Sequence, residues 1–154
     1  MKMKKLYLAC LAAGFVFMAC TLARAQDGGI SASDVAGVPS EFAKVEKEPD
    51  PALLGGWKCV YQRFRPKTGD YDPEPVEFYL AKYGDKFGLY FYRSKPEGGG
   101  KVYRGWREFT INGKEITSET GIRFFTEGGK VFFSWERGQK EKPAEMTRIP
   151  GLDK

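Results

Sequence analysis

The sequence predicts an all-β domain, an eight-stranded antiparallel up-and-down meander closed into a barrel, following a signal peptide and a short flexible leader. Three observations predict it. From Leu53 onward apolar residues recur with period two, as in half-buried strands. Glycine, proline and asparagine punctuate these runs at short intervals. Nearly every connection is short enough to pair sequence neighbours as hairpins. Eight such strands close most economically as a barrel, which also removes sheet edges.

The N-terminus has the three parts of an export signal. Lys2, Lys4 and Lys5 are basic, and Leu6 to Ala19 is apolar. Ala23-Arg24-Ala25 sets small residues before Gln26, which is the expected first residue of the mature chain. The apolar run falls short of the ~20 residues that a bilayer span needs, so no integral span is expected in the mature form. The expected destination is the periplasm or the extracellular space. An alternative is a lipoprotein anchored through Cys20, which follows the small residue Ala19.

Residues 26–51 are small, polar and mixed in charge, and read as a flexible leader. The three-residue spacing of Phe42 and Val45 predicts a short helix over Ser40–Glu48, stopped by Pro49. The barrel is expected over 52–150 and a tail over 151–154. Trp57, Cys59 and Tyr61 form one face of the first strand. A long acidic loop, Pro66–Pro75, follows. Val76, Phe78 and Leu80 face one way in the second run, and Phe87, Leu89 and Phe91 in the third. Val102, Arg104, Trp106 and Glu108 share a face in the fourth. Asn112-Gly113 is a strong hairpin signal before the weaker strand 114–119. Ile122 and Phe124, then Val131, Phe133 and Trp135, follow on either side of Gly128-Gly129, and Met146 marks a last short run. Tyr79, Tyr90, Tyr92, Phe125 and Phe132 fall on the opposite faces. They read either as strand exterior covered by the leader or as a partner-binding patch.

Leu54-Gly55-Gly56-Trp57 opens the first strand, and Arg148 stands at the end of the last. This arrangement resembles the G-x-W signature and closing arginine of lipocalins and the wider calycin group. The resemblance spans about Leu53 to Arg148. It implies that Trp57 plugs one end of a barrel with the Arg148 guanidinium lying across it, as structural closure. The chain is shorter than true lipocalins and lacks their flanking helix and disulfide. The resemblance therefore implies a short lipocalin-like barrel better than a ligand carrier proper.

The same inward faces supply the candidate ligand-binding residues Tyr61, Phe78, Leu80, Leu89, Phe91, Arg104, Trp106, Phe124, Phe133 and Trp135. Of these, Arg104 would meet an anionic ligand head if its face points inward, but the favoured reading is that Arg104 and Glu108 lie near a strand end or pair with each other. A full core and a lined cavity would use the same side chains, so the list does not choose between them. Asp70, Asp72 and Glu74 carry the spacing of a calcium-loop opening, but Pro75 and Ala81 replace the glycine and glutamate such a loop needs. They read as a solvated acidic loop, and no metal site is expected.

Composition excludes several functions. There is no histidine, which removes the commonest general base and metal ligand. Cys10 and Cys20 lie within the signal, so cleavage leaves Cys59 alone, an expected inert core thiol without an internal disulfide. The whole chain carries 25 basic and 20 acidic residues. Lys2, Lys4, Lys5 and Arg24 leave with the signal, so the mature chain is nearly neutral, without a global field for nucleic acid. The expected protein is not an enzyme and needs no cofactor. It is an exported barrel binding a small apolar or amphipathic ligand. The alternative is an envelope protein-interaction module with a filled core, such as a protease-inhibitor-like barrel.

Overall fold

A computed structural model describes residues 28–94, 100–104, 109–136 and 142–153. Its strands are β1 (Lys44–Lys47), β2 (Gly55–Phe64), β3 (Tyr71–Tyr83), β4 (Lys86–Ser94), β5 (Gly100–Arg104), β6 (Phe109–Asn112), β7 (Glu115–Ser118), β8 (Ile122–Glu127), β9 (Lys130–Trp135), β10 (Ala144–Glu145) and β11 (Thr147–Arg148). One turn of 3-10 helix (Pro51–Leu53) separates β1 from β2. No helix among the described residues is long and apolar enough to cross a membrane. The expected signal, residues 1–25, lies outside the described residues.

The fold is all-β, with two sheets that are almost entirely antiparallel. One has the order β1-β6-β7-β8-β9-β10 and the other β11-β2-β3-β4-β5. All eight predicted runs form strands, but their ladder is divided between two sheets. The division falls on two runs. The fourth becomes β5 in one sheet and β6 in the other, and the last becomes β10 and β11 on either side of buried Met146. In the last run the chain leaves one ladder and joins the other across Met146, while residues 105–108 of the fourth run lie outside the described residues.

Tight turns are where glycine was expected, with one shift. Asn112 pairs with Glu115, so the turn residues are Gly113-Lys114 and not Asn112-Gly113. Gly113 takes φ +60, a region that glycine enters without a Cβ penalty. The predicted loop Pro66–Pro75 is shorter than expected, because Phe64 already pairs with Tyr71. Pro73 and Pro75 are strand residues of β3. Among the described residues β4 pairs only with Val76–Tyr83, so no ladder partner there needs an N–H from the prolines.

The expected helix over Ser40–Glu48 is absent. Lys44–Lys47 instead forms β1, parallel to β6, and the Ala43 N–H donates to the Phe87 carbonyl at 2.9 Å. So short a segment cannot meet the cost of helix nucleation, whereas the edge of β6 offers ready backbone partners. The leader from Gly28 packs on the outside of the β2–β5 sheet. There Ile30, Tyr79, Tyr90, Tyr92, Ile149 and Leu152 form a second apolar cluster. The Ile30 N–H donates to Glu77 Oε2 at 2.7 Å and pins the leader to β3. The tyrosines on the outer parity are thus covered by the leader and the C-terminal tail.

The tail closes over Gly56. Its N–H donates to the Leu152 carbonyl at 2.7 Å, and its carbonyl accepts from the Ile149 N–H at 2.9 Å. A Cβ at Gly56 would lie 2.7 Å from the Leu152 Cβ, closer than two such atoms can approach. Gly56→Ala is expected to cost roughly 1–3 kcal/mol by displacing the tail, measured by urea unfolding. A change under ~0.5 kcal/mol would mean that the tail lifts freely and contributes no packing.

Candidate functional site

The inward faces of the two sheets meet in one core, and seven of the ten predicted lining residues lie in it. Tyr61, Phe78, Leu80, Leu89, Phe91, Phe124 and Phe133 are all buried. Their rings touch across the sheets. Phe78 of β3 lies 4.3 Å from Phe124 of β8, centroid to centroid, and Tyr61 of β2 lies 4.8 Å from Phe133 of β9. Phe91 of β4 reaches both Phe109 of β6 and Phe124 at 5.8 Å. These are ordinary spacings for packed aromatic pairs. The predicted lining residues therefore fill space with one another.

Of the other three predicted residues, only Trp135 has a described side chain. Trp135 is half-buried at one end of the core. Trp106 lies outside the described residues. Arg104 falls at the register position opposite Tyr90, and its side chain lies outside the described residues. The expected inward face of the fourth run is corrected: Tyr103 packs against the main core, and Val102 packs in the outer cluster. One residue of register decides this, because alternation moves a whole face at each slip.

At one end of the core, Trp57 and Arg148 are directly paired in register between β2 and β11. The Arg148 Cζ lies 3.9 Å from the centroid of the Trp57 ring. Its Nη1 donates to the Leu54 carbonyl, and its Nη2 lies 3.5 Å from the Ala52 carbonyl. The flat guanidinium thus covers the indole and ties the 3-10 turn to the last strand.

The opposite end is charged. Glu74 is the one buried charged side chain among the described residues, with 8% of its surface exposed. Its Oε1 accepts from Arg93 Nε of β4, and its Oε2 lies 3.5 Å from both Arg93 Nη2 and Arg63 Nη1 of β2. The Cζ atoms of Arg93 and Arg63 lie 4.3 and 4.7 Å from the Trp135 ring centroid. The Trp135 Nε1–H donates to the Thr120 carbonyl at 3.0 Å, which fixes the plane of the indole. Four strands drawn from both sheets contribute this cluster. The reading of Glu74 as part of a solvated loop is therefore corrected. The missed signal was parity: Glu74 continues the Val76-Phe78-Leu80 face, Arg63 continues Tyr61, and Arg93 continues Phe91.

Among the described residues, two grooves outside the core stand out. One, of about 570 Å³, runs between the leader and β3 and is lined by Val35, Val38, Leu54, Tyr79, Ala81 and Tyr83, among others. The other, of about 710 Å³, lies at the β2–β3 loop beside Arg63, Arg65 and Lys67. Among the described residues no three His, Cys, Asp or Glu side chains come together as metal ligands.

Cys59 is half-buried against the core, and burial pushes its thiol up to about 12. Tyr83 is also pushed up to about 12, by burial and then by its hydrogen bond with Tyr90, and burial raises Tyr79 as well. All three lose their protons more readily in the unfolded chain. The native state therefore holds more protons above the ordinary thiol and phenol range, and stability is expected to fall as pH rises from about 9 towards about 12. Urea midpoints across that window check it, and a flat profile would contradict it. At neutral pH Cys59 should stay unreactive to a thiol reagent until the chain is unfolded.

No family model, curated protein or solved structure matches the chain.

Proposed function

We infer that the chain is an exported, non-enzymatic β domain acting as a protein-interaction module, with its core serving as a solid scaffold. The observation that carries this reading is the interlocked set of core rings, in which Phe124 alone contacts Phe78, Phe91, Phe109 and Phe133. Such packing leaves the interior rigid and turns recognition over to the outer surface. Val60 and Tyr71, 57% and 49% exposed, stand on β2 and at the start of β3, and Tyr71 pairs with the Phe64 ring at 5.3 Å. They supply the apolar anchors that a partner in the envelope would cover. On this reading the two sheets are halves of a closed, eight-stranded lipocalin-like barrel. Support comes from the Arg148–Trp57 stack and from the two runs that pass between the sheets.

A second reading, a small apolar or amphipathic ligand, is favoured by the 570 Å³ groove between the leader and β3, a volume suited to such molecules. Native mass spectrometry of protein from its own host separates the two. The scaffold reading expects a bare chain beginning at Gln26, and a photocrosslinker at Tyr71 giving one discrete protein adduct that Val60→Glu abolishes. A stoichiometric lipid-like adduct, lost on Val38→Glu, would replace the scaffold reading with the groove reading. A diacylglycerol mass on Cys20 would assign the lipoprotein form.

A further inference from the structure

Among the described residues, the inward face at the charged end of the core gathers three basic side chains around the one buried carboxylate, that of Glu74. By the inward parity of their sheet, Arg63, Arg93 and Lys101 arrive there from β2, β4 and β5, with Glu74 set between the two arginines. On the adjoining rim Arg65 is matched by Asp72 at 2.5 Å, so it leaves no charge over. Glu74 can neutralise one guanidinium, and it is shared by two. Each guanidinium has five N–H donors, and the contacts to Glu74 use only Arg93 Nε and Nη2 and Arg63 Nη1. The two arginine side chains are 31% and 28% exposed, so they are largely removed from water yet reachable from it. A cation held in that state without a full counter-charge is costly, and an incoming anion relieves the cost. The groove of about 710 Å³ opens beside Arg63, with Arg65 and Lys67 and also Asp70 and Asp72 along its walls.

We propose that this end is a binding site for a tetrahedral oxyanion of the phosphate class, held by the Arg63 and Arg93 N–H groups that Glu74 does not engage, beside the rigid Trp135 platform, with Lys101 adding charge. Two planar forks from different strands suit a group that presents three or four oxygens in different directions. A second carboxylate would only repeat what Glu74 already offers. The inference is independent of the scaffold reading, since it concerns the end of the core and not its outer faces. The same chemistry is presented by free inorganic phosphate and by a phospholipid headgroup.

The test is a titration of the full mature chain with inorganic phosphate, followed in ¹H–¹⁵N spectra. The Trp135 Nε1–H and the Arg63 and Arg93 Nε–H signals are expected to shift together and saturate, while chloride at matched ionic strength gives no saturating shift. Arg93→Gln should weaken phosphate binding by about tenfold or more, the loss of one charge-assisted fork. Arg63→Gln, the more exposed of the pair, supplies the same comparison if Arg93 is needed for folding. Co-sedimentation with phosphatidylglycerol vesicles, against phosphatidylcholine vesicles, separates the sources. Saturable phosphate shifts mark a soluble ligand, whereas vesicle binding without them, abolished by Arg63→Gln, marks a headgroup. No response in either arm, or binding unchanged by both variants, overturns the proposal and leaves the cluster as a structural ion network.

Discussion

Phe124→Ala is expected to lower the unfolding free energy by ~3–5 kcal/mol, the usual cost of deleting a fully buried aromatic ring. Phe124 is fully enclosed and sits at the centre of the core, touching Phe78 and Phe91 of one sheet and Phe109 and Phe133 of the other. Removing it loses both the transfer free energy of the ring and the contacts of four neighbours. Those neighbours are held on paired strands, so they cannot collapse into the space, and a cavity remains. Urea unfolding of the protein measures the change. A loss below ~1.5 kcal/mol would mean that the rings are loosely held, and the solid-scaffold reading would fail with it.

Trp57→Ala is expected to cost about 3 kcal/mol, the low end for a large aromatic, because the indole is only half-buried. Arg148→Ala should cost less, on the order of 1–2 kcal/mol, from the lost stack and the lost bonds to the Leu54 and Ala52 carbonyls. The two effects should overlap. Once the indole is gone the guanidinium has no surface to cover, so the double mutant should be milder than the sum by roughly 1 kcal/mol. Agreement with strict additivity would show that the stack carries no coupling. It would also remove the main support for treating the last strand as the closing strand of a barrel.

Much of this fold is legible along the chain because strand parity is a local property. Side chains alternate across a strand whatever lies beside it, so Trp57 with Tyr61, Phe78 with Leu80, Leu89 with Phe91, and Phe124 and Phe133 could be assigned to a core from spacing alone. The hairpin at Gly113 was legible for a similar reason, since a positive φ at a tight turn selects glycine. Its exact register was not, because Asn112 serves equally well as a turn residue or as the last paired residue.

What parity leaves open is which strand lies alongside and on which side. The sequence by itself determined an all-β chain, the inward faces of most runs and the pairing of neighbouring runs through short turns. Only the tertiary structure decided that Tyr103 and not Val102 faces the core, that Lys44–Lys47 is a strand and not a helix, and that two runs divide between sheets. It also decided that Arg63, Glu74, Arg93 and Trp135 meet, although each continues a legible face, because they come from four strands in two sheets. The physical reason is the range of the interactions. Alternation and turn geometry act over two or three residues, whereas register, sheet crossing and charge pairing depend on backbone edges brought together from distant parts of the chain.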